Sequence, residues 1–450
     1  MTNPRPITAE LARYAVQADY DALPGEVQVE AMRAFLNWIG CALGGSREDV
    51  ALHAAQAVAC TGGPAQATRI GHGMRTDMAS AAFLNSVASN ALAYDDTHLA
   101  TVTHPSGPVA APLFAHAETE PVSGKAFLAA LALGIEVQCR LSNVLLLPPA
   151  EGNVALYITG QTGPIGGAVA LGKVMGFDET RMGWAIGYGA TQGAGIRATH
   201  GAMSALVVPG IASRAAMFAA HLAKAGLECM GDTLESPKGF FAVHARGASH
   251  DRAVERLGTY HEMLANTYKP YPAGIVVQPA IDACRDILEQ AGGTEVVSLT
   301  LRVHPLTMTL ADRRHPKDMF EAQVSLYHWA AAVILRGEWG VDVTRQAMIS
   351  DAEIARFRER VVGVADPSLG RDQARAEAVL ADGRRLTACV EAARGSMARK
   401  MTDAELDAKF LGQARTVLKG DRPEHLLALL RDLASVPDVA AAVAPALAPS

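Results

Sequence analysis

Two carboxylates, a hydroxyl and two imidazoles lie close together in the stretch AYDDTHLATVTHPSG, in the first quarter of the chain. They belong to Asp95, Asp96, Thr97, His98 and His104. Carboxylates and imidazoles transfer protons near neutral pH, and a hydrophobic core does not need such a set. The stretch therefore indicates an acid/base site in which His104 is the base or the acid. A metal site and an ordinary polar turn with solvent-facing histidines are the alternatives.

The positions of Asp95, Asp96 and His104 favour an acid/base site. The two carboxylates follow a predicted helix that ends near Leu92, so they lie where the helix dipole disfavours negative charge. Carboxylates in such places have a raised pKa or need a hydrogen-bond donor, and both suit a catalytic site. Pro105 biases the backbone of His104 to extended conformations and so limits where its imidazole points. The spacing of the two histidines lacks the geometry that is usual for metal ligands, so we expect no metal ion.

A lysine in the stretch NTYKPYPAG is the second candidate. Lys269 lies at the predicted junction between a helical region and a mixed region, and clefts form at such junctions. The flanking prolines hold nearby side chains in fixed directions. We expect Lys269 to stabilise developing negative charge, while Thr97 and Tyr271 position the substrate. An ordinary interdomain linker is the alternative.

Two glycine-rich stretches resemble nucleotide-binding loops but depart from them at defining positions. The stretch GAVALGK is followed by Val174, where a phosphate loop has the Ser or Thr that binds magnesium, and it lies in an apolar helical run. Close packing of helices explains its small residues better. The stretch GYGATQG has the wrong spacing for a dinucleotide fingerprint. We therefore expect no organic cofactor.

The overall composition predicts a large, well-buried helical protein. At 450 residues the chain exceeds what one hydrophobic core usually supports, so two domains are expected. Half of the residues are apolar and only 19% are charged, which favours a buried interior and a further face buried in an oligomer. A net charge of −6 without a Lys/Arg cluster makes nucleic acid and anionic membranes poor partners. Scattered cysteines, no signal-peptide pattern and no apolar run of membrane-spanning length predict a soluble cytoplasmic protein with reduced thiols.

Apolar residues recur at helical spacing over most of the first 265 residues. The pattern predicts a first helix capped by Thr8 and further helices over 26–44, 77–92, 123–145, 164–176 and 208–225. From about residue 270 the pattern becomes mixed, with a strand over 297–303, a hairpin turn at Asp382 and Gly383, and helices over 275–290 and 322–336.

Helical character returns after Ser396, where Thr402 and Glu405 form a capping box. The Ala- and Pro-rich tail from Pro437 is expected to be loosely held. The predicted fold is therefore mainly α. A large all-helical domain is interrupted by a smaller α+β lid domain, with boundaries at 1–267 for the first helical part, 268–395 for the lid and 396–450 for the return and the tail.

Several motifs follow one another along nearly the whole chain: AYDDTH, HPSGPVAAP, GAVALGKVMGFDETRMGWAIGYGATQGAG, SRAAMFAAHLAKAG, ESPKGFF, YKPYPAG, VSLYHWAAAVILRG and ADPSL. Their order resembles that of the MmgE/PrpD family, which includes 2-methylcitrate dehydratases, cis-aconitate decarboxylases and iminodisuccinate epimerases. The resemblance implies a helical domain with an α+β lid, a homodimer, and a cofactor-free cleft between the domains.

The resemblance also implies which residues form the site. The family's Asp-Asp-Thr turn, His-Pro histidine and lysine before the lid match Asp95, Asp96, Thr97, His104 and Lys269. A family tyrosine of the lid falls near Tyr327 or His328, and an earlier family histidine falls near Tyr157. The spacer before His104 is one residue longer than in the decarboxylase branch, which also has an aspartate at the position of Ala93.

Other departures remove positive charge from the implied site. Where family members often read Met-Thr-Lys-x-x-His, this chain has Ala205 and Val208 in place of the lysine and the histidine. A later family histidine is also missing. Arg197 and His200 lie nearby and could partly compensate. Because a tricarboxylate in a desolvated cleft needs several cations, citrate-like substrates are disfavoured.

The sequence thus predicts a cofactor-independent lyase that uses acid/base chemistry at a carbon α to a carboxylate of a small carboxylic acid, in the manner of a dehydratase. Its catalytic residues would be His104, Asp95, Asp96 and Lys269. Its substrate-binding residues would be Thr97, His98, Tyr157, Arg197, His200, Tyr271, Tyr327 and His328. Decarboxylation, epimerisation and a degenerate member that binds a ligand without turnover are the alternatives, and a metal hydrolase is a more distant one.

Overall fold

Helices dominate the computed structural model, which describes residues 5–449, and the mainly α prediction is confirmed. The first part of the chain forms ten α-helices: α1 (Ile7–Gln17), α2 (Gly25–Gly45), α3 (Asp49–Ala59), α4 (Met78–Asn90), α5 (Ser106–Ala117), α6 (Gly124–Leu146), α7 (Ile158–Val174), α8 (Glu179–Thr191), α9 (Met203–Lys224) and α10 (Phe240–His244). Two short antiparallel pairs accompany them, formed by β1 (Ala67–Arg69) with β2 (Met74–Thr76) and by β3 (Asp96–His98) with β4 (Asn266–Tyr268).

The second part of the chain mixes helices with one four-stranded sheet. Its helices are α11 (Gln278–Ala291), α12 (Pro305–Ala311), α13 (Met319–Gln323), α14 (Leu326–Arg336), α15 (Gln346–Ile349) and α16 (Ala352–Arg358). The sheet has the order β6-β5-β7-β8, with β5 (Val296–Val303), β6 (Val361–Ala365), β7 (Ala374–Leu380) and β8 (Arg385–Val390). The predicted hairpin turn lies between β7 and β8 as expected, and Gly383 adopts the positive φ of 84° that such a turn requires.

Three last helices follow the sheet: α17 (Asp403–Ala414), α18 (Arg422–Arg431) and α19 (Val439–Val443). They pack into the same hydrophobic cluster as α2, α5 and α6, whereas a separate cluster is built only from residues 271 to 393. The capping box of Thr402 and Glu405 is present at the start of α17. The prediction of a loosely held tail is wrong, because Val439, Val443 and Leu447 are fully buried in the helical core.

Small residues allow the helices around α7 to approach closely. A Cβ added to Gly167 would lie 2.5 Å from both the Pro108 carbonyl oxygen and the Ala216 Cβ, so only glycine fits there. The packing interpretation of this glycine-rich stretch is confirmed. Helices α6 and α9 are long and apolar enough to cross a membrane, but the most apolar window of α6 is entirely buried inside the protein and that of α9 is 61% buried.

Prolines account for two errors in the predicted helix boundaries. The helices expected to begin at 164 and 208 begin at Ile158 and Met203, with Pro164 and Pro209 inside them. Pro164 cannot donate to the carbonyl of Gly160, and that carbonyl instead accepts a hydrogen bond from Ala194 N at 3.0 Å. The first helix also differs from the prediction. Pro6, not Thr8, is its N-cap, and the buried Thr8 hydroxyl donates to Glu235.

Candidate active site

The short β3–β4 ladder joins the two candidate segments of the sequence. Its antiparallel register pairs Asp96 with Tyr268 and Thr97 with Thr267. Asp95 therefore lies opposite Lys269, at the end of the ladder. The expectation that Lys269 and His104 share one cleft is confirmed, because both side chains line it and both contact Asp95.

Asp95 is a buried carboxylate held between two cationic or ionisable partners. Lys269 Nζ donates to Asp95 Oδ1 at 2.7 Å, and His104 Nδ1 lies 3.1 Å from Asp95 Oδ2. Burial alone raises the pKa of Asp95, but His104 and Lys269 together hold it below its usual value. The carboxylate is therefore ionised at neutral pH, in a place where an unpaired charge would be strongly unfavourable.

His104 is held by its Nδ1 atom. This atom lies 3.1 Å from the Asp96 carbonyl oxygen and 3.2 Å from Thr97 Oγ1, besides its contact with Asp95. A carbonyl and a carboxylate only accept hydrogen bonds, so Nδ1 carries a proton. In the neutral imidazole the unprotonated nitrogen is then Nε2, the atom left for a substrate in the cleft. The backbone N–H of His104 donates to Thr159 Oγ1 at 2.9 Å, which fixes the residue further.

Asp96 points away from the cleft into a polar interior. Its Oδ2 accepts hydrogen bonds from Ser106 Oγ at 2.6 Å and from Asn266 Nδ2 at 2.5 Å. Burial is the main reason that its pKa is raised, and the neighbouring Asp95 charge adds to the effect. The two adjacent carboxylates thus differ in environment, and only Asp95 reaches the histidine and the lysine. Asp96 instead connects β3 to α5 through Ser106 and to β4 through Asn266.

The cleft between the two parts of the chain encloses about 650 Å³ of empty space, its open mouth included. Its polar side chains are Asn90, His104, Tyr157, Arg197, His200, Lys269 and Gln323. Arg197 lies over the Tyr157 ring, 5.3 Å from its centroid. Burial, with the charges of Arg197 and other neighbours, lowers the pKa of His200 to about 4, so His200 is neutral at neutral pH. The predicted residues Tyr157, Arg197 and His200 therefore do line the cleft.

One wall of the cleft is apolar. Ala205 packs with Val208 and Tyr157 in a small hydrophobic cluster, and Ala205 faces the cavity directly. The other apolar lining residues are Ala93, Val102, Ala202, Leu206, Ile275, Val276, Leu310, Phe320 and Val324. Ala93 and Val102 also line the cleft, and both have positive φ angles, of 49° and 53°. Such conformations cost about 1–3 kcal/mol for non-glycine residues, and they commonly occur at functional sites.

Five other predicted site residues lie outside the cleft lining. Thr97 is fully buried and reaches the site only through His104. His98 is also buried, with Nδ1 2.8 Å from Thr101 Oγ1 and Nε2 3.5 Å from Glu262. Since successive residues of a strand face opposite sides, His98 shares the Asp96 face of β3 and not the cleft.

The three aromatic residues expected from the second part of the chain have other partners. The prediction that Tyr271 lies on a wall of the cleft is wrong, because its hydroxyl donates to Asp282 Oδ1 at 2.6 Å, away from the lining residues. Tyr327 donates to Asp312 at 2.5 Å, and His328 Nε2 lies 2.7 Å from the Val343 carbonyl oxygen. The structure does not bring these three side chains to the cleft.

Several residues that the sequence did not single out support the site. Ser106 and Asn266 stand inside the two motifs already quoted, HPSG and NTYKPYPAG, so the motifs themselves carried the signal. Lys409 was missed although it lies on the inward face of a helix, beside Leu406 and Phe410. Among residues 5–449, no group of three His, Cys, Asp or Glu side chains is spaced to hold a metal ion.

The cleft thus brings together an imidazole in contact with a buried carboxylate, a buried ammonium and an arginine, which are groups that acid/base chemistry on a small anionic molecule can use. The MmgE/PrpD N-terminal domain matches residues 9–253, and the MmgE/PrpD C-terminal domain matches residues 271–434. The chain belongs to the MmgE/PrpD family.

Curated relatives are similar over much of the chain. It is 25% identical to a cis-aconitate decarboxylase of Homo sapiens over 378 residues, which cover 80% of this chain and 77% of that protein. A Mus musculus cis-aconitate decarboxylase is also 25% identical over 378 residues, 80% of this chain and 76% of the relative. An Aspergillus terreus cis-aconitate decarboxylase is 26% identical over 294 residues, 62% of this chain and 60% of the relative. These similarities support a lyase-type enzyme.

Proposed function

We propose that this protein is a cofactor-independent lyase that transfers a proton at a carbon α to a carboxylate of a small carboxylic acid. The observation that carries the proposal is the buried chain Lys269–Asp95–His104, which leaves His104 Nε2 for a substrate in the cleft. Asp95 orients the imidazole and balances the imidazolium that forms when Nε2 takes a proton. Arg197 and Lys269 supply positive charge for the enolate-like transition state.

Dehydration of a hydroxy acid is the first candidate reaction. His104 Nε2 takes the proton on the carbon α to the carboxylate, and the electron pair of that C–H bond forms a C=C bond. The C–O bond on the adjacent carbon breaks, and the hydroxyl leaves as water after it receives the proton from the imidazolium of His104. The product is an unsaturated acid, and His104 returns to its neutral form.

Decarboxylation of an unsaturated acid is the second candidate, which the similarity to cis-aconitate decarboxylases favours. In this reaction a C–C bond to a carboxylate breaks and CO₂ leaves. The electron pair that remains on carbon takes a proton from the imidazolium form of His104. The same side chain would serve both reactions, but decarboxylation begins with His104 protonated and dehydration begins with His104 neutral.

The apolar wall supports a substrate with fewer carboxylates than citrate-like acids. A substrate carboxylate placed against Ala205 and Val208 would lack the lysine and the histidine that family members often carry there, which leaves Arg197 and Lys269 as the cations of the cleft lining. Loss of one partner of a buried charge pair costs about 3–5 kcal/mol. At about 1.4 kcal/mol for each tenfold change, this corresponds to a loss of two or more orders of magnitude. We therefore propose a mono- or dicarboxylate with an apolar arm as the substrate.

A substrate panel tests this proposal. The pure protein, dialysed against a strong chelator, is assayed on cis-aconitate, 2-methylcitrate, and hydroxy or unsaturated mono- and dicarboxylic acids with an apolar arm. We expect kcat/KM for the best acid with an apolar arm to be at least ~100-fold higher than kcat/KM for cis-aconitate or 2-methylcitrate. The product mass distinguishes loss of water from loss of CO₂. The double variant Ala205→Lys, Val208→His should shift the preference towards the tricarboxylates.

Three outcomes would contradict the proposal. Rapid conversion of cis-aconitate or 2-methylcitrate by the native protein would mean that other cations, such as Arg197, bind the substrate carboxylates in place of the missing lysine and histidine. Binding of the acids without any product would indicate a degenerate member of the family. Loss of activity after dialysis, restored by a metal ion, would contradict the cofactor-independent reaction.

We also propose that the protein is a homodimer. Helix α9 leaves Ile211 and Phe218 about half exposed, at 48% and 59%, beside a surface groove that Phe83 and Met217 also line. A second copy of the chain would cover these side chains.

Light scattering should give twice the chain mass of 47.2 kDa, and Phe218→Glu should lower the measured mass to that of one chain. Met230→Glu, at an exposed methionine outside the groove, is the control. A concentration-independent mass of one chain for the native protein would refute the dimer.

A further inference from the structure

Lys409 is a buried lysine that reaches the site from the C-terminal part of the chain. It lies on the face of α17 that packs against α2, with Phe410 and Gln413. Gly40 and Gly44 allow this close approach, since a Cβ on either would lie 3.0 Å from the side chain of Phe410 or Gln413. The small residues of α2 thus let α17 carry an ammonium group into the interior.

The ammonium of Lys409 bonds to the backbone on both sides of the site. Its Nζ donates to the carbonyl oxygen of Tyr94 at 2.7 Å and to that of Lys269 at 2.9 Å. It also lies over the Tyr94 ring, 4.2 Å from the centroid. The Tyr94 carbonyl belongs to the peptide bond that leads into Asp95, and the other carbonyl belongs to Lys269 itself. One side chain therefore connects the backbones of the two residues that form the buried ion pair.

We propose that Lys409 is a positioning residue that holds Asp95 and Lys269 at the separation at which Asp95 can orient His104. The role in turnover rests on the proposed function, whereas the effect on the Asp95–Lys269 contact does not. Asp95 comes just before β3 and Lys269 just after β4, so both lie outside the ladder, whose last pair is Asp96 with Tyr268. Lys409 supplies a backbone link at that end through two carbonyl oxygens, beside the hydrogen bond that the Tyr94 hydroxyl donates to the Pro270 carbonyl oxygen at 3.0 Å.

The charges around Lys409 determine when it keeps its proton. The titratable groups around it are Cys41 of α2, Tyr94 and Asp95 before β3, Asp96 in β3, and Lys269 after β4. Burial lowers the pKa of Lys409 to about 8, and the nearby Lys269 charge adds to this, while Asp95 and Asp96 oppose it. The Cys41 thiol stays protonated at neutral pH because burial raises its pKa to about 11. Lys409 is thus a cation at pH 7 that loses its charge above about pH 8.

Three variants test the role of Lys409. Lys409→Met removes the donors and the charge, Lys409→Arg keeps both, and Lys400→Met is the matched control, because Lys400 donates to the Leu264 carbonyl at the exposed surface. The measurements are kcat and KM as functions of pH on the acid that the native protein converts fastest in the panel, the melting temperature, and a crystal structure of each variant.

We expect Lys409→Met to lower kcat about 100-fold with less than about a threefold change in KM, because the transition state and not substrate binding depends on the geometry of the pair. The native protein should lose kcat above about pH 8, and this loss should be absent from Lys409→Arg, whose guanidinium stays charged. Lys409→Arg should keep kcat within about tenfold of the native value at pH 7. The melting temperature of Lys409→Met should fall, because the buried carbonyl oxygens of Tyr94 and Lys269 lose their donor, so the kinetic constants are compared at a temperature at which every variant is folded.

The crystal structure separates failure of this proposal from failure of the proposed function. In Lys409→Met, the Lys269 Nζ to Asp95 Oδ1 distance should exceed hydrogen-bond range, against 2.7 Å in the native protein. If that distance is kept, or if Lys409→Met keeps kcat within about threefold of the native value, the positioning role is refuted. If no acid in the panel is converted, the distance alone decides. If Lys409→Met does not fold, Lys409→Arg decides. A folded Lys409→Arg whose kcat falls more than about tenfold below the native value would refute the role. If no acid is converted, a folded Lys409→Arg that lacks the Asp95–Lys269 contact would refute it.

Discussion

Replacing His104 by Gln should lower kcat by about 10²–10⁴-fold, the usual contribution of a general acid or base. A Gln amide can donate to the Asp96 carbonyl or to Asp95 in place of Nδ1, so the loop before α5 should keep its shape. It cannot accept and release a proton as Nε2 does, whichever reaction the enzyme performs. KM should change little, because Arg197 and Lys269 still provide positive charge for the substrate.

His98→Gln is the matched control for this experiment. His98 is in the same segment, and His98→Gln also removes one imidazole. Its side chain, however, contacts Thr101 and Glu262 on the face of β3 that is turned away from the cleft. Steady-state kinetics and the melting temperature of both variants are compared. We expect His98→Gln to affect stability more than kcat, and His104→Gln to do the reverse. Equal losses of kcat in two folded variants would remove His104 from its assigned role.

The fold was predictable where one periodicity runs without interruption. Helices α2, α4 and α6 lie within two residues of their predicted bounds, because each presents a long apolar face that no proline breaks. The starts of α7 and α9 were not predictable by the same rule. Pro164 and Pro209 are typical of helix starts, yet here tertiary contacts, such as the Ala194 N–H on the freed Gly160 carbonyl, allow them inside helices.

The candidate site was predictable in its chemistry but not in its geometry. The residue types in the two quoted stretches pointed to Asp95, His104 and Lys269, which the structure joins. The ladder that joins them has three residues in each strand, too few for any alternation to be recognised in the sequence. The prediction that Tyr271 lies on a wall of the cleft was wrong for a related reason. Its hydroxyl partner Asp282 lies eleven residues further on, in α11, and only the packing of α11 brings them together.

Lys409 shows what a stricter use of helical periodicity would have found. Leu406, Lys409, Phe410 and Gln413 follow a spacing of three and four residues, so they share one face of α17, which the apolar Leu406 and Phe410 mark as the inward face. A lysine at such a position must bury its ammonium, and a buried ammonium needs acceptors. That the acceptors are the carbonyls of Tyr94 and Lys269 could not be read from the sequence, because they are separated from Lys409 by more than 100 residues.

The buried ion pair of Asp95 and Lys269 should contribute strongly to the free energy of unfolding. Asp95→Asn should lower the free energy of unfolding by about 3–5 kcal/mol at pH 7, because it leaves the Lys269 ammonium buried without its carboxylate. The double variant Asp95→Asn, Lys269→Met removes both charges and should recover most of the loss. Urea unfolding midpoints of the native protein, both single variants and the double variant give the coupling between the two residues. Additive losses would mean that the ion pair contributes nothing beyond its separate parts.

Acid provides an independent check on the same carboxylate. The pKa of Asp95 is lowered in the folded protein, so its contribution to stability is fully present above the unfolded value of about 3.9 and is lost as pH falls towards the folded value. Asp96 acts in the opposite sense because its folded pKa is raised, mainly by burial; burial is the same in native protein and Asp95→Asn, and only the smaller contribution of the Asp95 charge differs between them. The difference in unfolding midpoint between native protein and Asp95→Asn should therefore be largest near pH 7 and should narrow below about pH 4. A difference that stays constant as pH falls would show that Asp95 stabilises the fold by its shape and hydrogen bonds rather than by its charge.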